Sequence, residues 1–184
     1  MNGANELCLE CGLCCNGVIF ADVKLQPDDD ARRLGALGLP VSIPQSGPRN
    51  PYFKQPCAAL DGCRCRIYAQ RPQYCRQFEC ALLKQVKAGR LETAAALRII
   101  RTARERAEKV RRLLRAVGDV EEHAALAGRF RRAARRLEET GLDEQTADTY
   151  AQLTLAVHDL NLLVSQAFYP GCVEREPRML SGET

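Results

Sequence analysis

Cysteine is the residue type in this sequence with the clearest capacity for chemistry. The chain has ten cysteines in 184 residues, and nine of them lie between Cys8 and Cys80. The two histidines, His123 and His158, lie far outside that stretch. Because thiolates are strong ligands for zinc and for iron, clustered cysteines without histidine predict a metal held by sulfur alone. Buried free cysteines are the alternative, but residues that act as small hydrophobes need not gather around glycine and proline turns.

The first cysteine cluster has the spacing of a metal-binding turn. Residues 8–15 read CLECGLCC. Two residues between cysteines let the backbone fold into a tight knuckle whose amides donate hydrogen bonds to the sulfurs. Gly12 suits the close backbone approach that such a turn requires. Since neighbouring side chains diverge in most backbone conformations, we expect Cys14 and Cys15 to serve different sites, or one of them to be spare.

The second cluster begins about 40 residues after the first, reading CAALDGCRC at 57–65 and RPQYCRQFEC at 71–80. A single CxxC pair is a weak signal, whereas two clusters within 80 residues are a strong one for metal. Disulfides stay open as an alternative because the cysteine count is even. The first six residues lack the basic start and apolar stretch of a secretory signal, which predicts a cytoplasmic protein with reduced thiols.

Prolines and glycines divide the chain into two differently built regions. Seven of the nine prolines precede residue 73, and none occurs between residues 73 and 169. Because proline breaks helix interiors, the first region is predicted to be rich in loops and the second to be helical. We therefore expect a mainly α protein, with a loop-rich, metal-stabilised cysteine-cluster domain at 1–82. An antiparallel three-helix bundle at 83–168 and a tail at 169–184 follow.

The elements of both regions can be predicted from local patterns. Apolar residues at alternating steps of three and four, such as Ala96 and Ile100, predict helices at about 91–117, 122–139 and 143–168. In the first region, three consecutive aspartates after a proline predict a helix start, and residues 18–20 predict a short strand.

Positive charge is concentrated in the helical region. Residues 83–142 carry 16 basic and 8 acidic side chains, whereas residues 143–184 carry 2 and 7. This asymmetry favours helices of complementary charge and a protein partner bound through the bundle. Nucleic acid is a less favoured partner, because aromatic residues that stack bases are scarce there. The arginines that could touch phosphate are Arg129, Arg131, Arg132, Arg135 and Arg136. No apolar run approaches the roughly 20 residues of a membrane span.

The cysteines and their neighbours resemble the YkgJ-type CxxCxxCC cysteine-cluster family, described as a zinc- or iron-chelating domain. The resemblance covers residues 8–82 and rests on CxxCxxCC, a further cysteine, the signature CxIYxxRPxxCRxF and a final cysteine. Cys63 and Cys172 fall outside this pattern and are not predicted ligands. The resemblance implies eight metal ligands: Cys8, Cys11, Cys14, Cys15, Cys57, Cys65, Cys75 and Cys80.

The signature also contains Tyr68, Arg71 and Arg76. Arginine beside a thiolate cluster could hydrogen-bond sulfur and reduce the repulsion between thiolates. The alternative is structural: Arg71 and Pro72 would begin a turn or short helix, and Tyr68 would be a core residue.

Three functions are compatible with these patterns. The first is a metal-binding protein with one or two thiolate sites, with zinc preferred over iron or a [4Fe-4S] cluster, and a helical interaction bundle. The second is an iron-sulfur or metal-dependent enzyme of unknown substrate, since some longer proteins resembling this family are flagellin lysine methylases. Because no recognised catalytic motif is present, no catalytic residue is assigned. The third is a nucleic-acid-binding protein that uses the basic helices.

Overall fold

The computed structural model describes residues 3–45, 50–141 and 143–169. Helices make up 57% of the described residues and strands 7%, so the predicted mainly α class, with a cysteine-rich region followed by helices, is confirmed. A 3₁₀ turn at Tyr68–Gln70 lies between the strands and the later helices. The elements, in chain order, are α1 (Gly3–Cys11), β1 (Asp22–Lys24), α2 (Ala31–Ala36), β2 (Tyr52–Lys54), β3 (Leu60–Asp61), β4 (Arg64–Cys65), α3 (Gln73–Gln77), α4 (Ala81–Lys87), α5 (Thr93–Ala116), α6 (Leu126–Thr140) and α7 (Glu144–Phe168).

The strands form two small antiparallel pairs in the first region. In the β1–β2 pair, Val23 lies opposite Phe53, and both side chains are buried. The pair β3–β4 is a short hairpin with Leu60 opposite Cys65. A hydrophobic cluster on this side of the molecule packs against three of the cysteines, so apolar burial and thiols share one small core. Its buried members are Val23, Leu25, Leu34, Leu39, Phe53, Ala59 and Ile67, and the cysteines are Cys57, Cys65 and Cys75.

One local prediction in this region is confirmed and another is wrong. The Asp30 side chain accepts a hydrogen bond from the Arg33 amide at 2.9 Å, which caps α2 where the aspartates predicted a helix start. Residues 18–20 do not form a strand, and the nearest strand, β1, begins at Asp22. The Phe20 ring instead packs edge-on against the Phe78 ring at a centroid distance of 4.9 Å. This aromatic packing replaces the strand pairing that the apolar run suggested.

The helices α5, α6 and α7 correspond to the three predicted helices and share one hydrophobic cluster. Ile100, near the start of α5, clusters with Phe168 at the end of α7. Leu114, near the end of α5, clusters with Leu153, which lies towards the start of α7. The helices α5 and α7 are therefore antiparallel. The residues that α6 adds to the cluster are those of its predicted apolar stripe, Leu126, Phe130, Ala133 and Leu137.

A second hydrophobic cluster joins the cysteine-rich region to the helices. Leu7 of α1 and Leu82 of α4 are buried with Ile100 of α5 and Phe168 of α7. This cluster crosses residue 82, where the boundary between domains is predicted, and the division into 1–82, 83–168 and 169–184 stays a prediction. No helix within the described ranges is both long and apolar enough to span a bilayer.

Most of the arginines considered for phosphate binding have partners within the chain. Arg129 is buried with only 2% of its side chain exposed, and its Nε donates to Asp119 Oδ2 at 2.7 Å. Arg136 donates to the backbone carbonyl of Val117 at 2.6 Å. Arg132 pairs with Glu121 and Arg135 with Glu139, and both pairs are exposed. Four of the five arginines thus have partners within the described residues, and Arg129 is buried away from any phosphate outside the protein.

Candidate metal centre

All nine cysteines of the described residues line one cavity of about 200 Å³. None of the nine forms a disulfide. They come from α1 and the turn after it, from the segment around β3 and β4, from α3 and from the residue that precedes α4. Cys172 lies outside the described residues. The cysteines in the cavity wall are Cys8, Cys11, Cys14, Cys15, Cys57, Cys63, Cys65, Cys75 and Cys80.

The turn after α1 has the tight geometry that the CxxC spacing predicts. Gly12 has a φ of +66°, and its carbonyl accepts hydrogen bonds from the amides of Cys15 and Asn16, both at 2.9 Å. A Cβ atom on Gly12 would lie 3.3 Å from the Cα of Cys63. Glycine is therefore favoured at position 12 both by the left-handed conformation and by close contact with the segment between β3 and β4.

Backbone amides donate hydrogen bonds to three of the sulfurs. Burial raises the pKa of Cys11, Cys57 and Cys80. The amide hydrogen bonds act against this effect and lower the pKa of each thiol. Amide donation to a thiolate offsets its negative charge, as in metal-binding knuckles. The amide hydrogen bonds therefore favour the thiolate form of these three sulfurs, which is the form that binds metal. The donors are the amide of Leu13 to Cys11, those of Ala59 and Leu60 to Cys57, and those of Leu82 and Leu83 to Cys80.

Mutual electrostatic effects associate one set of cysteines around α1 and the start of α4. Burial is the main cause that raises the pKa of Cys11 to about 12, and the nearby charges of Cys80, Cys8 and Cys63 raise it further. The pKa of Cys14 is raised well above its usual value by burial first, and then by the charges of Cys11, Cys15, Cys80 and Cys8. Cys11 and Cys80 also pack against the same hydrophobic cluster. We call these four residues the first set: Cys8, Cys11, Cys14 and Cys80.

The same effects associate another four cysteines. Burial raises the pKa of Cys15 to about 12, and the next contributions come from Cys57, Cys75 and Cys65, ahead of Cys11. Burial also raises the pKa of Cys75 to about 12, followed by the charges of Cys57 and Cys65. The amide of Cys57 donates to the carbonyl of Cys15 at 2.7 Å, which ties the two segments together. We call this group the second set: Cys15, Cys57, Cys65 and Cys75.

The cavity matches a thiolate-bound metal in the type and number of its donors. Sulfur ligands select zinc and iron-sulfur clusters over the hard cations that prefer oxygen. Because the raised pKa values keep Cys11, Cys15 and Cys75 protonated near neutral pH, a metal ion that binds them must displace protons. Among the residues that the structure describes, no three Cys, His, Asp or Glu side chains are already arranged around a common point as ligands. The two sets are therefore defined by the proximity of their cysteines around one cavity, because their side chains do not form closed coordination shells.

Arg71 lies at the cavity wall, stacked on Tyr68. Its guanidinium carbon is 3.6 Å from the centroid of the Tyr68 ring. The Tyr68 side chain is 37% exposed, so its alternative interpretation as a core residue is wrong. The Arg71 Nε atom is buried and has no hydrogen-bond partner. After larger effects of burial and of other cysteines, the positive charge of Arg71 lowers the pKa of Cys8 and of Cys75. An arginine beside the thiols is thus present where the sequence suggested one.

The later helices hold the segment that follows the first cysteine cluster. Arg111 of α5 donates to the carbonyl of Asn16 at 3.3 Å, and the Leu126 amide donates to the carbonyl of Gly17 at 2.9 Å. A Cβ atom on Gly17 would lie 2.9 Å from the Cα of Ala125. The Asn-Gly pair signals a turn in the sequence, but nothing local identifies the helix against which it packs.

Gln55 is a further polar residue of the cavity wall that the sequence did not single out. Its side chain is 2% exposed, and its Oε1 atom has no hydrogen-bond partner. A buried amide oxygen without a partner is costly, so polar contact within the cavity would stabilise it.

Comparison with known proteins identifies the family of the chain. Residues 7–109, more than half of the sequence, match the CxxCxxCC family, described as a putative zinc- or iron-chelating domain. The match extends beyond the second cysteine cluster, through α4 and into α5. No curated protein and no solved structure matches the chain. With its eight signature cysteines in order around one cavity, the chain belongs to the CxxCxxCC family of zinc- or iron-chelating domains.

Proposed function

We propose that this protein binds two metal ions, zinc or iron, each through four cysteine thiolates. The first set would hold one ion and the second set the other. The observation that carries this proposal is that Cys11 and Cys80 pack against one hydrophobic cluster, whereas Cys57, Cys65 and Cys75 pack against another. The hydrogen bond from the Cys57 amide to the Cys15 carbonyl joins Cys15 to the second group. The adjacent residues Cys14 and Cys15 fall into different groups. This is expected, because the side chains of neighbouring residues diverge in most backbone conformations.

The donor chemistry supports zinc in four-thiolate sites. Structural zinc is bound by four Cys or His ligands in closed tetrahedral sites, and the described cavity wall offers thiols and no histidine. The proposal also requires a reducing environment such as the cytoplasm, because paired oxidation of the thiols would remove the ligands.

Metal binding at these sites would stabilise the cysteine-rich region itself. Structural zinc contributes an apparent binding free energy of about 10–16 kcal/mol in small zinc-dependent peptides. This free energy is comparable with the net stability of a typical domain, which is about 5–15 kcal/mol. We therefore propose that folding of residues 1–82 depends on metal.

A [4Fe-4S] cluster on the first set is the second candidate. Cys8, Cys11 and Cys14 are separated by two residues each, and Cys80 is a remote fourth cysteine beside them. This spacing resembles ferredoxin-type ligation. The second set would then hold a separate ion. A brown protein with visible charge-transfer absorbance and stoichiometric iron would favour this candidate over two zinc ions.

Elemental analysis of anaerobically purified protein tests the proposal directly. We expect two equivalents of zinc, or iron in a whole-number ratio to protein. Substituting C14S or C15S should each remove the metal of one set and leave the other bound. The matched control is C63S, because Cys63 lines the same cavity but belongs to neither set. Native protein without metal would refute metal binding, and loss of an equivalent in C63S would refute the assignment of ligands.

A further inference from the structure

We propose that Arg71 is a shared counter-cation for both thiolate sets, so that its positive charge supports metal binding at each of them. This inference rests on the proposed two-site function. It assigns Arg71 a positioning and charge-compensating role, since the eight cysteines already supply four ligands for each ion.

The local backbone and the Tyr68 ring hold Arg71 in place. Arg71 follows the 3₁₀ turn at Tyr68–Gln70 and immediately precedes the buried Pro72, whose ring restricts the backbone. The guanidinium lies over the Tyr68 ring at 3.6 Å, an arrangement in which the ring face attracts the cation. Its Nε atom, buried and without a partner, is free to donate to a thiolate.

Arg71 lines the cavity whose wall holds the cysteines of both sets, together with two other cations, Arg76 and Lys87. Lys87 is paired with Glu79. Among the described cations of the cavity wall, Arg71 is the one with a buried nitrogen that lacks a hydrogen-bond partner, and this nitrogen is available to a thiolate in the cavity.

Four thiolates around one divalent ion leave a net charge of about −2, so two such sites in one cavity repel each other. A positive charge in the wall of this shared cavity lowers the electrostatic cost of filling each site. Removing it should weaken both sites together, although Arg71 belongs to neither ligand set.

The test is an anaerobic zinc titration against a competing chelator with the full-length R71Q variant. We expect the affinity for both equivalents to fall by about tenfold or more, the range found when partners of metal ligands are removed. The matched control is R64Q, because Arg64 is exposed and lies next to the ligand Cys65, yet does not line the cavity. R64Q should stay within a few fold of the unsubstituted protein.

The R71K variant separates charge from shape, because it keeps the positive charge but cannot stack a planar guanidinium on Tyr68. We expect R71K to retain most of the affinity at both equivalents. If R71Q does not fold, R71K decides alone, and a loss of tenfold or more in R71K overturns the inference. An R71Q protein that behaves like R64Q, or that weakens only one equivalent, also overturns it.

The outcome for the unsubstituted protein separates this inference from the function on which it rests. If that protein does not bind two equivalents, the two-site function fails. If it does so and R71Q binds as tightly, only the role of Arg71 fails.

Discussion

The helices α5–α7 and the cysteine-rich region use different residues to fill their interiors. Helix α5 buries an unbroken stripe of six apolar residues, among them Ile100 and Leu114, against its neighbours. Around the cavity, nine thiols converge, and the apolar cluster beside them is built from short elements separated by loops. Burial of apolar surface suffices to explain the first arrangement. The second gathers thiols that can bind a metal ion together once it displaces their protons, so the two regions should respond differently to metal.

The largest expected effect is the response to metal removal. Treatment with a chelator under anaerobic, reducing conditions should make residues 1–82 sensitive to protease, while α5–α7 keep their helical signal. The reason is the loss of a binding free energy on the order of 10 kcal/mol per site. Limited proteolysis and far-ultraviolet circular dichroism measure the two responses. If stripped protein resists protease as well as loaded protein does, the two regions do not differ in the proposed way.

The next effect is on the pH dependence of metal affinity. Burial raises the pKa of Cys11, Cys15 and Cys75 to about 12, above the ordinary thiol value of 9.0. The metal-free thiols therefore hold their protons below pH 9, and binding releases them. Apparent affinity should rise with pH between 6 and 8, by about tenfold per pH unit for each proton released. Calorimetry in buffers of different ionisation enthalpy counts the protons, and a flat profile would contradict thiol ligation.

A smaller effect is expected from the buried ion pair of the helical region. D119A should destabilise the protein by about 3–5 kcal/mol, because Arg129 would be left buried and charged without its partner. The matched control is E121Q, which breaks the exposed pair of Glu121 with Arg132 and should cost about 0–1 kcal/mol. Urea denaturation of both metal-loaded variants measures the difference. Equal losses in the two variants would show that burial of the pair does not matter.

The smallest effect concerns the start of α7. The Asp143 side chain accepts a hydrogen bond from the Thr146 amide at 2.7 Å, which lowers the pKa of Asp143. D143A should slightly lower the thermal midpoint of the helices and leave metal stoichiometry unchanged. Since the lowered pKa stabilises the ionised form, this contribution is present above the ordinary value of 3.8 and is lost as the pH falls below it. D148A, which removes only a contact with Gln152, should change the midpoint less.

The parts of the site that the sequence predicts are those that depend on neighbours along the chain. The CxxC spacing and Gly12 predict the tight turn because its hydrogen bonds join residues only a few positions apart. That Arg71 shares one cavity with cysteines from distant segments depends on how those segments meet, and no local pattern specifies it. The short apolar run at 18–20 predicts a strand wrongly, because a run of that length has no period that separates a strand from a loop.

Arg129 shows how a composition argument can mislead where spacing would have helped. Its charge alone makes it a candidate for phosphate binding. It lies three residues after Leu126 and four before Ala133, which are both buried on the same face of α6. This spacing already puts Arg129 on the apolar face, but its partner Asp119 lies in the turn before α6 and could be identified only from the structure.

The contact between Gly17 and Ala125 has a practical consequence for anyone who isolates the metal-binding part of this protein. The residues that match the family end at position 109, yet the start of α6 touches the loop directly behind the first four cysteines. A fragment trimmed to the matched residues would keep every signature thiol and lose the wall that supports that loop. Weak metal uptake by such a fragment would then report the missing support rather than the quality of the ligands.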